Sequence, residues 1–245
     1  DEKIRHSITK MSSLHFTSTD DYRDRVIQMG ESASTVFSVG APGIDNIVNI
    51  SLLNKAELES ELNWKFNGAT ALFTFHSETL SGVDTKEEIK KILKILGETK
   101  INVLFTYANA DKGGRIINDE IEKFASKDKE KYFVVKSLGQ LKYLSAMKCL
   151  DFVIGNTSSG IIEAASFQKP VINIGNRQKG RLQSGNIIDS TTEKLGDSIS
   201  LVMSDSFIQH CNHVINIYGE GNASQQIVAL LESQNLNSIK KFQDL

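Results

Sequence analysis

The sequence predicts an α/β protein built on a doubly wound parallel sheet. Strand-like apolar runs alternate with helical patterns along almost all of the 245 residues, and this alternation is typical of successive βαβ units. Most strand-like runs are apolar throughout, which indicates strands that are buried on both faces. Polar clusters follow several of these runs, at the carboxyl ends where open parallel sheets bind ligands.

Strands are predicted where β-branched and aromatic residues form apolar runs of strand length. In chain order they lie at residues 14–18, 36–40, 71–76, 101–108, 132–137, 152–155, 171–175 and 187–189. Helices are predicted between them, where the apolar residues recur at helical spacing. In chain order they lie at residues 3–11, 20–29, 55–62, 85–96, 114–126, 138–147, 159–167, 192–203 and 223–233.

A domain boundary is predicted near residue 40, because Pro42 and Gly43 interrupt the pattern there. We expect residues 1–40 to end one Rossmann-like domain and residues 41–245 to form a second, closed by the last helix. The chain starts with Asp1, within a helical pattern and without an initiator Met. We therefore expect it to be part of a longer protein.

Composition narrows the possible classes of protein. The net charge of −2, with no basic block, argues against a nucleic-acid surface. Two cysteines are too few for a disulfide scaffold and favour a reduced, cytoplasmic protein. No apolar run approaches the ~20 residues of a membrane span, and no signal peptide is visible, so no membrane association is expected.

The most informative motif is the turn that runs from Gly155 to Glu163. An apolar strand stops at Gly155, a cluster of hydroxyl and amide residues follows, and a helix is predicted next. Backbone N–H groups at a helix start can bind a phosphate, and Glu163 lies four residues beyond Ser159 on the same helix face, where it could accept hydrogen bonds from a ribose. An ordinary loop with a serine cap remains the alternative.

Three further candidates follow strands on the same edge. His76 can act as a general acid or base near neutral pH, although a purely structural histidine is the alternative. Arg177 could neutralise phosphate, and Asn109 could contact a base or sugar; an exposed arginine and a plain turn are the corresponding alternatives. No metal site is expected, because no second His or Cys lies at ligand spacing from His76.

A family resemblance rests on five segments spread over nearly the whole chain. They are Asp1-Glu-Lys-Ile-Arg-His-Ser-Ile-Thr-Lys10, Phe75-His76, Gly155-Asn-Thr-Ser-Ser-Gly-Ile-Ile-Glu163, Pro170-Val-Ile-Asn-Ile-Gly-Asn-Arg-Gln178 and Tyr218-Gly-Glu-Gly-Asn-Ala223. In this order they resemble the hydrolysing UDP-N-acetylglucosamine 2-epimerases of sialic acid biosynthesis. The resemblance implies a glycosyltransferase-B-type architecture of two Rossmann-like domains facing a cleft, with this chain supplying the end of the first domain and the whole UDP-binding second domain.

The resemblance also implies a reaction and roles for individual residues. UDP would leave by elimination across C1–C2, and water would add to the resulting glucal to release N-acetylmannosamine. Asp1 and His76 match catalytic positions of the family. The substrate-binding matches are Thr157, Ser158, Gly160 and Glu163 for diphosphate and ribose, Arg177 near the sugar, and Asn109 at the uridine end. No cofactor is implied, and a homo-oligomer, dimer or tetramer, is expected.

Several alternatives remain open at the level of sequence. Ser77-Glu-Thr79 follows His76 where the non-hydrolysing bacterial epimerases have a His-Arg-Arg-Glu-Asn-type run, and this difference favours the hydrolysing branch. The sugar could instead be a 2,4-diacetamido-trideoxyhexose on UDP, as in legionaminic acid pathways. The chain alone is expected to be inactive, so a non-catalytic UDP-sugar-binding module is a second class. A glycosyltransferase is a weaker third, because no acceptor site is indicated.

Overall fold

The computed structural model describes residues 2–78, 84–234 and 240. These residues fall into two units, the first from Asp1–Asn49 with Asn216–Leu245 and the second from Ile50–Ile215. The candidate residue Asp1 lies outside the described residues. All the other candidate site residues belong to the second unit. Within the described ranges, no helix combines the length and the apolar character needed to cross a membrane.

The strands follow the predicted order along the chain. They are β1 (His15–Thr17), β2 (Val36–Ser38), β3 (Thr70–Thr74), β4 (Asn102–Thr106), β5 (Tyr132–Val135), β6 (Phe152–Gly155), β7 (Val171–Ile174) and β8 (Ile187–Ser190). The helices are α1 (Glu2–Met11), α2 (Asp20–Gln28), α3 (Pro42–Asn49), α4 (Lys55–Leu62), α5 (Thr85–Glu98), α6 (Gly114–Ala125), α7 (Gly139–Cys149), α8 (Ser158–Ile162), α9 (Leu195–Val202), α10 (Asp205–Cys211) and α11 (Ala223–Ser233).

The second unit is built on a six-stranded sheet in which every pair of neighbours is parallel. The strand order is β5-β4-β3-β6-β7-β8, so the chain moves outward in one direction from β3 and later in the other direction from β6. The reversal creates a topological switch point between β3 and β6, where such sheets bind ligands. In the first unit, β1 and β2 form a separate parallel pair.

Both faces of the six-stranded sheet are covered by helices. Along β3, Phe73 faces a cluster with apolar residues of α5, α6 and α9, whereas Leu72 faces a second cluster with residues of α4 and α7. Successive side chains of a strand point to opposite faces, and both residues are fully buried. The unbroken apolar runs of the sequence therefore correspond to a doubly wound sheet, as predicted.

The structure corrects the extent of two predicted helices. The helix expected at 159–167 is a short α8 followed by a 3-10 turn over Ala164–Phe167, and the helix at 192–203 starts with a 3-10 turn over Thr192–Lys194. Four predicted strands also end two residues earlier than expected, because their last residues leave the sheet as loops; these are the strands at 36–40, 71–76, 101–108 and 132–137.

Two helices, α3 and α10, were not predicted. Pro42 had indicated a break, yet it occupies the first position of α3, where its missing N–H costs nothing. The start of α10 did carry a signal, because the Ser204 side chain accepts a hydrogen bond from the backbone N–H of Phe207.

Within the first unit, α3 is connected to the last helix. The two carboxylate oxygens of Asp45 accept hydrogen bonds from the backbone N–H groups of Ala223 and Ser224, at 3.0 and 2.7 Å. These bonds satisfy N–H groups at the start of α11 that no helical carbonyl can reach. The predicted division into residues 1–40 and 41–245 stays a prediction.

Gly155 is the residue of the sheet that we expect to tolerate substitution least. Its φ is +138°, and a Cβ would lie 1.9 Å from the carbonyl oxygen of Thr74 on the neighbouring strand. We expect Gly155→Ala to lower the free energy of unfolding by more than about 4 kcal/mol, as measured by urea denaturation.

The matched control is Gly68→Ala. Gly68 also has a positive φ, +84°, but a Cβ there would have no neighbour within 4 Å. Its expected cost is the conformational one alone, about 1–2 kcal/mol. Equal losses for the two variants would show that the close approach at Gly155 is not the cause.

Candidate functional site

The candidate site lies at the switch point, beyond the carboxyl ends of β3, β4, β6 and β7. Thr74, the last residue of β3, is in register with Gly155, the last residue of β6. On the other side of β3, the Thr74 hydroxyl lies 2.6 Å from the hydroxyl of Thr106, the last residue of β4. The three loops that follow these strands therefore leave the sheet side by side.

The loops after β3 and β6 are joined through the side chain of Asn156. Its amide oxygen accepts a hydrogen bond from the backbone N–H of His76 at 2.7 Å, and its amide nitrogen donates to the His76 carbonyl at 2.8 Å. Asn156 is fully buried. A buried amide with both of its groups paired fixes the loop geometry, since breaking either bond would leave a buried polar group unpaired.

The loop after β7 is attached to the same residue. The Asn156 carbonyl accepts hydrogen bonds from Nη1 of Arg177 at 3.0 Å and from Nε2 of Gln178 at 2.8 Å. Gln178 is almost fully buried, whereas Arg177 is exposed. The Asn156 carbonyl therefore holds the charged guanidinium of Arg177 at an exposed position.

Glu78 determines the path of the β7 loop. Its Oε1 accepts hydrogen bonds from the backbone N–H groups of Asn176 and Arg177 at 2.8 and 3.0 Å. The carboxylate lies so close to Gly175 that a Cβ there would be 2.4 Å from Oε1. Gly175 also has a φ of +77°, so both the space and the backbone conformation require glycine at this position.

The imidazole of His76 is neutral and has a defined tautomer. Its Nδ1 accepts a hydrogen bond from the backbone N–H of Asn109 at 3.1 Å, so the ring hydrogen lies on Nε2. Burial lowers the pKa of His76 to about 4, and the charge of Arg177 acts in the same direction, against the opposing effect of Asp111. At neutral pH, His76 can therefore donate a hydrogen bond from Nε2 but carries no charge.

The turn after β6 presents hydroxyl groups beside the His76 loop. Thr157 caps α8, since its side chain accepts from the backbone N–H of Ser159 at 3.4 Å. Ser158 is the first residue of that helix. A Cβ at Gly160 would lie 3.1 Å from Cγ1 of Val171, so a larger residue would push the helix away from β7.

Glu163 follows the last residue of α8. Its backbone N–H donates to the Ser159 carbonyl at 2.8 Å, which confirms the four-residue spacing on one helix face. Burial raises the pKa of the Glu163 carboxyl group, and a hydrogen bond with the Ser159 side chain partly offsets this rise. The carboxylate is thus poorly solvated, which favours pairing with hydrogen-bond donors.

A pocket of about 310 Å³ opens beside this turn. Its walls come from the ends of β3 and β4, the loop after β5, helix α7 and the start of α8; they include Thr74, Thr106, Ser137, Tyr143, Thr157 and Ser159. Hydroxyl groups line it on several sides. Such a lining suits a ligand that carries both donors and acceptors.

The structure brings most of the predicted residues together. His76, Asn109 and Arg177 share one cluster of contacts, and Thr157, Ser158, Gly160 and Glu163 form the adjacent turn. Asn109 contacts the His76 ring rather than the pocket, and its role at a uridine stays a prediction.

Four residues of this site are not among the candidates predicted from the sequence: Asn156, Glu78, Gln178 and Tyr143. The first three lie within two residues of predicted candidates. Their position after a strand could therefore have identified them from the sequence. Tyr143 had no signal, because it belongs to a helix far from the motif.

The comparisons with known proteins agree on one family. The sequence profile of the family described as UDP-N-acetylglucosamine 2-epimerase matches residues 1–232. A Campylobacter jejuni protein named GDP/UDP-N,N'-diacetylbacillosamine 2-epimerase (hydrolyzing) is 42% identical, covering all of this chain and 65% of that protein. The polysialic acid biosynthesis protein P7 of Escherichia coli is 36% identical, again over all of this chain and 63% of the relative.

A solved structure supports the fold. The UDP-GlcNAc 2-epimerase from Neisseria meningitidis bound to UDP-GlcNAc has a TM-score of 0.74 at 16% identity, over 92% of this chain and 63% of that one. The predicted α/β class with a glycosyltransferase-B-type Rossmann-like sheet is confirmed. The chain spans less than two thirds of the length of these curated relatives.

The low pKa of His76 predicts a pH-dependent stability. The pKa is about 4 in the folded protein against 6.5 for the free group, so the unfolded chain takes up the proton first as the pH falls. This residue therefore reduces stability as the pH falls from 6.5 towards 4. We expect His76→Gln to remove that part of the loss, on the order of 2 kcal/mol at pH 5, in urea titrations from pH 7 to pH 4.5.

His213→Gln, at an exposed position outside the site, controls for the loss of an imidazole. If His76→Gln and the wild-type protein lose stability in parallel over this range, the His76 ring is not held neutral by its surroundings.

Proposed function

The chain belongs to the UDP-N-acetylglucosamine 2-epimerase family, and from this premise we propose that it carries the UDP-binding site of a hydrolysing UDP-sugar 2-epimerase. One observation carries the proposal. A partly buried carboxylate, Glu163, lies at the end of α8, and a neutral histidine, His76, lies on the loop after β3, both near the switch point of one parallel sheet. In this arrangement Glu163 would bind the nucleotide, and His76 would act at the bond that breaks.

The turn after β6 would bind the nucleotide. Thr157, Ser158 and Gly160 would contact the diphosphate through hydroxyl and backbone N–H groups. Glu163 would accept hydrogen bonds from the ribose hydroxyls, which would add to the one donor, the Ser159 hydroxyl, already beside its partly buried carboxylate. The neighbouring 310 Å³ pocket is large enough for the uracil ring, which makes UDP the ligand that the turn and the pocket fit together.

His76 and Arg177 would act on the departing diphosphate and the sugar. Because Nδ1 of His76 is occupied by the Asn109 N–H, the Nε2–H is the group that can donate to an oxygen of the substrate. The guanidinium of Arg177 adds positive charge beside it. A neutral donor and a fixed cation stabilise negative charge as it develops on the leaving UDP.

The proposed reaction proceeds in two balanced steps. A base removes the proton at C2 of the sugar while the C1–O bond to the β-phosphate breaks, giving UDP and a 2-acetamidoglucal. Water then adds across the double bond, with hydroxyl at C1 and a proton on the opposite face of C2, and the free 2-epimer is released. Asp1 remains our candidate for the proton chemistry, and it lies outside the described residues.

The sugar is proposed as a 2-acetamido sugar, with two candidates. The family description supports UDP-N-acetylglucosamine, giving N-acetylmannosamine, and the 36% identity to protein P7 supports a sialic acid pathway. The 42% identity to an enzyme named for N,N'-diacetylbacillosamine supports UDP-2,4-diacetamido-trideoxyhexose. A homo-oligomer, a cytoplasmic location and independence from cofactors remain predictions of the sequence.

Glu163→Gln tests the ribose assignment. The substitution keeps the shape of the side chain and removes the charge, so we expect the Kd for UDP to rise about 10- to 100-fold, the usual effect of losing charge-assisted hydrogen bonds. Calorimetric titration of the intact protein with UDP measures it. Glu130→Gln, at an exposed position, is the matched control, and an unchanged Kd in Glu163→Gln would remove Glu163 from the UDP site.

A direct assay tests the reaction and the sugar. With UDP-N-acetylglucosamine and with its diacetamido analogue in D₂O, the intact protein should release UDP and a free sugar that carries deuterium at C2, as followed by NMR. The 42% relative favours the analogue, for which we expect kcat/KM roughly tenfold or more higher. A UDP-linked epimer as product would contradict the hydrolysing reaction, and UDP binding without turnover would favour the non-catalytic alternative.

A further inference from the structure

We propose that Ser77 is a positioning residue for His76, because its hydroxyl fixes the loop whose backbone donates to the His76 ring. The inference rests on the proposed function, in which the Nε2–H of His76 donates to an oxygen of the substrate. Ser77 follows His76 directly in the chain. In the sequence it belongs to the run that favours the hydrolysing branch, and no role of its own is predicted for it.

The loop after β3 and the loop after β4 are joined at two points. The first is the hydrogen bond from the backbone N–H of Asn109 to Nδ1 of His76, at 3.1 Å. The second is the hydrogen bond from the Ser77 hydroxyl to the backbone carbonyl of Lys112, at 2.5 Å. Two consecutive residues of one loop thus bind two residues of the other loop that lie three positions apart, so the second bond restricts where the first can form.

The loop after β4 is held more by hydrogen bonds than by packing, since its residues 109–112 are all exposed. The Asn109 side chain donates to the Asp111 carboxylate at 2.5 Å, and the Asp111 carbonyl accepts the backbone N–H of Gly114 at 2.9 Å. These two bonds keep the loop compact but do not attach it to His76. Ser77 is only 6% exposed, so water competes little for its hydroxyl, and its bond to the loop is strengthened accordingly.

Gly113 lets the loop lie directly against Ser77. Its φ is +94°, and a Cβ there would be 3.1 Å from Cβ and 3.2 Å from Oγ of Ser77. A side chain at this position would meet the Ser77 side chain, and the backbone conformation is one that glycine adopts at little steric cost. Since Gly113 follows Lys112, the hydrogen bond and the close contact belong to one junction between the two loops.

This junction affects the chemistry of His76 because the loop supplies the donor that selects its tautomer. A neutral imidazole carries its hydrogen on either nitrogen, and a donor in front of Nδ1 favours the form with the hydrogen on Nε2. If the loop moved away, Nδ1 could carry the hydrogen, and Nε2 would then accept instead of donate. The loop also carries Asp111, which acts electrostatically on His76 together with Arg177 from the loop after β7. Ser77 thus controls the ring through the loop.

The ¹⁵N NMR spectrum of the histidine rings in the intact protein tests the inference. Among the five histidines, the signals of His76 are those that are missing from His76→Gln. In the wild-type protein near neutral pH, we expect the shifts of a ring with its hydrogen on Nε2. In Ser77→Ala, the shifts of Nδ1 and Nε2 should move towards each other as the second tautomer becomes populated. Unchanged shifts would overturn the inference.

The matched control is Ser198→Ala. Ser198 is 7% exposed, about as buried as Ser77, and its hydroxyl lies 2.8 Å from the hydroxyl of Ser190. This variant also loses a buried hydroxyl contact, but outside the two loops, so the His76 shifts should stay as they are in the wild-type protein. If Ser198→Ala changed them as much as Ser77→Ala, a general effect of losing a buried hydroxyl would be the cause, and the inference would fail.

Gly113→Ala disturbs the same junction from the other side and keeps the Ser77 hydroxyl. The added methyl group would lie 3.1 Å from Cβ of Ser77, so the loop has to shift, and we expect the His76 signals to change in the same direction as in Ser77→Ala. Gly68→Ala is its control, because Gly68 has a similar φ and open space around it. A wild-type His76 spectrum in Gly113→Ala would contradict the inference.

Kinetics separate positioning from direct contact with the ligand. Ser77 also borders a cavity of about 830 Å³ that Arg177 helps to line, so a bond from its hydroxyl to the ligand is the competing explanation. A displaced donor weakens binding of the transition state, so Ser77→Ala should lower kcat about tenfold and change KM and the Kd for UDP by less than about twofold. A higher KM or Kd with unchanged His76 signals would show direct contact instead and overturn the inference.

The outcome is separable from that of the proposed function. The NMR comparison needs no substrate, so it decides whether Ser77 fixes the His76 ring even if the intact protein has no activity. If the wild-type protein neither binds UDP nor releases it from a UDP-sugar, the proposed function fails, whatever the spectra show. If the wild-type protein is active and the His76 signals of Ser77→Ala are unchanged, only the role of Ser77 is wrong.

Discussion

The site depends on the two hydrogen bonds that join the side chain of Asn156 to the backbone of His76. They connect the loops after the two strands that flank the switch point, and the carbonyl of the same residue receives Arg177 and Gln178 from a third loop. Asn156, which is fully buried, thus holds three loops together through its hydrogen bonds. Because a buried amide loses several kcal/mol of hydrogen bonding when it is displaced in a dry environment, the relative positions of imidazole and guanidinium are fixed before a ligand arrives.

The close approach of β3 and β6 makes this connection possible. Gly155 packs against the Thr74 carbonyl with no room for a Cβ, and this contact brings Asn156 within reach of the next loop. The same requirement recurs at Gly175, where the Glu78 carboxylate occupies the space of a side chain while it accepts two backbone N–H groups. At Gly155 the absence of a side chain permits the pairing of β6 with β3, and at Gly175 it permits the loop geometry.

Charge is distributed unevenly over the two sides of the site. On the His76 side, burial and the neighbouring guanidinium keep the imidazole neutral, so Arg177 is the positively charged member of this pair. On the other side, Glu163 is poorly solvated, with the Ser159 hydroxyl beside it and the Tyr143 phenol nearby. The polarity of a nucleoside diphosphate matches these two sides, because the ribose carries hydroxyl donors and the diphosphate carries anionic oxygens next to the bond that breaks. This match supports the UDP-sugar that we propose as the ligand.

The sequence by itself determined the α/β class, the order of the strands along the chain and the turn from Gly155 to Glu163, because hydrophobic period, β-branched runs and glycine positions are local properties. It also placed His76 and Arg177 after strands. Only the tertiary structure decided the spatial order of the strands, which depends on pairing between distant segments. It also decided the tautomer of His76, set by the backbone of Asn109, and the position of Asn156 between the loops. The hydrogen-bonding partners at the site lie 33 and 80 residues apart in the chain. Such pairs produce no periodic pattern in the sequence, so only tertiary packing brings them together.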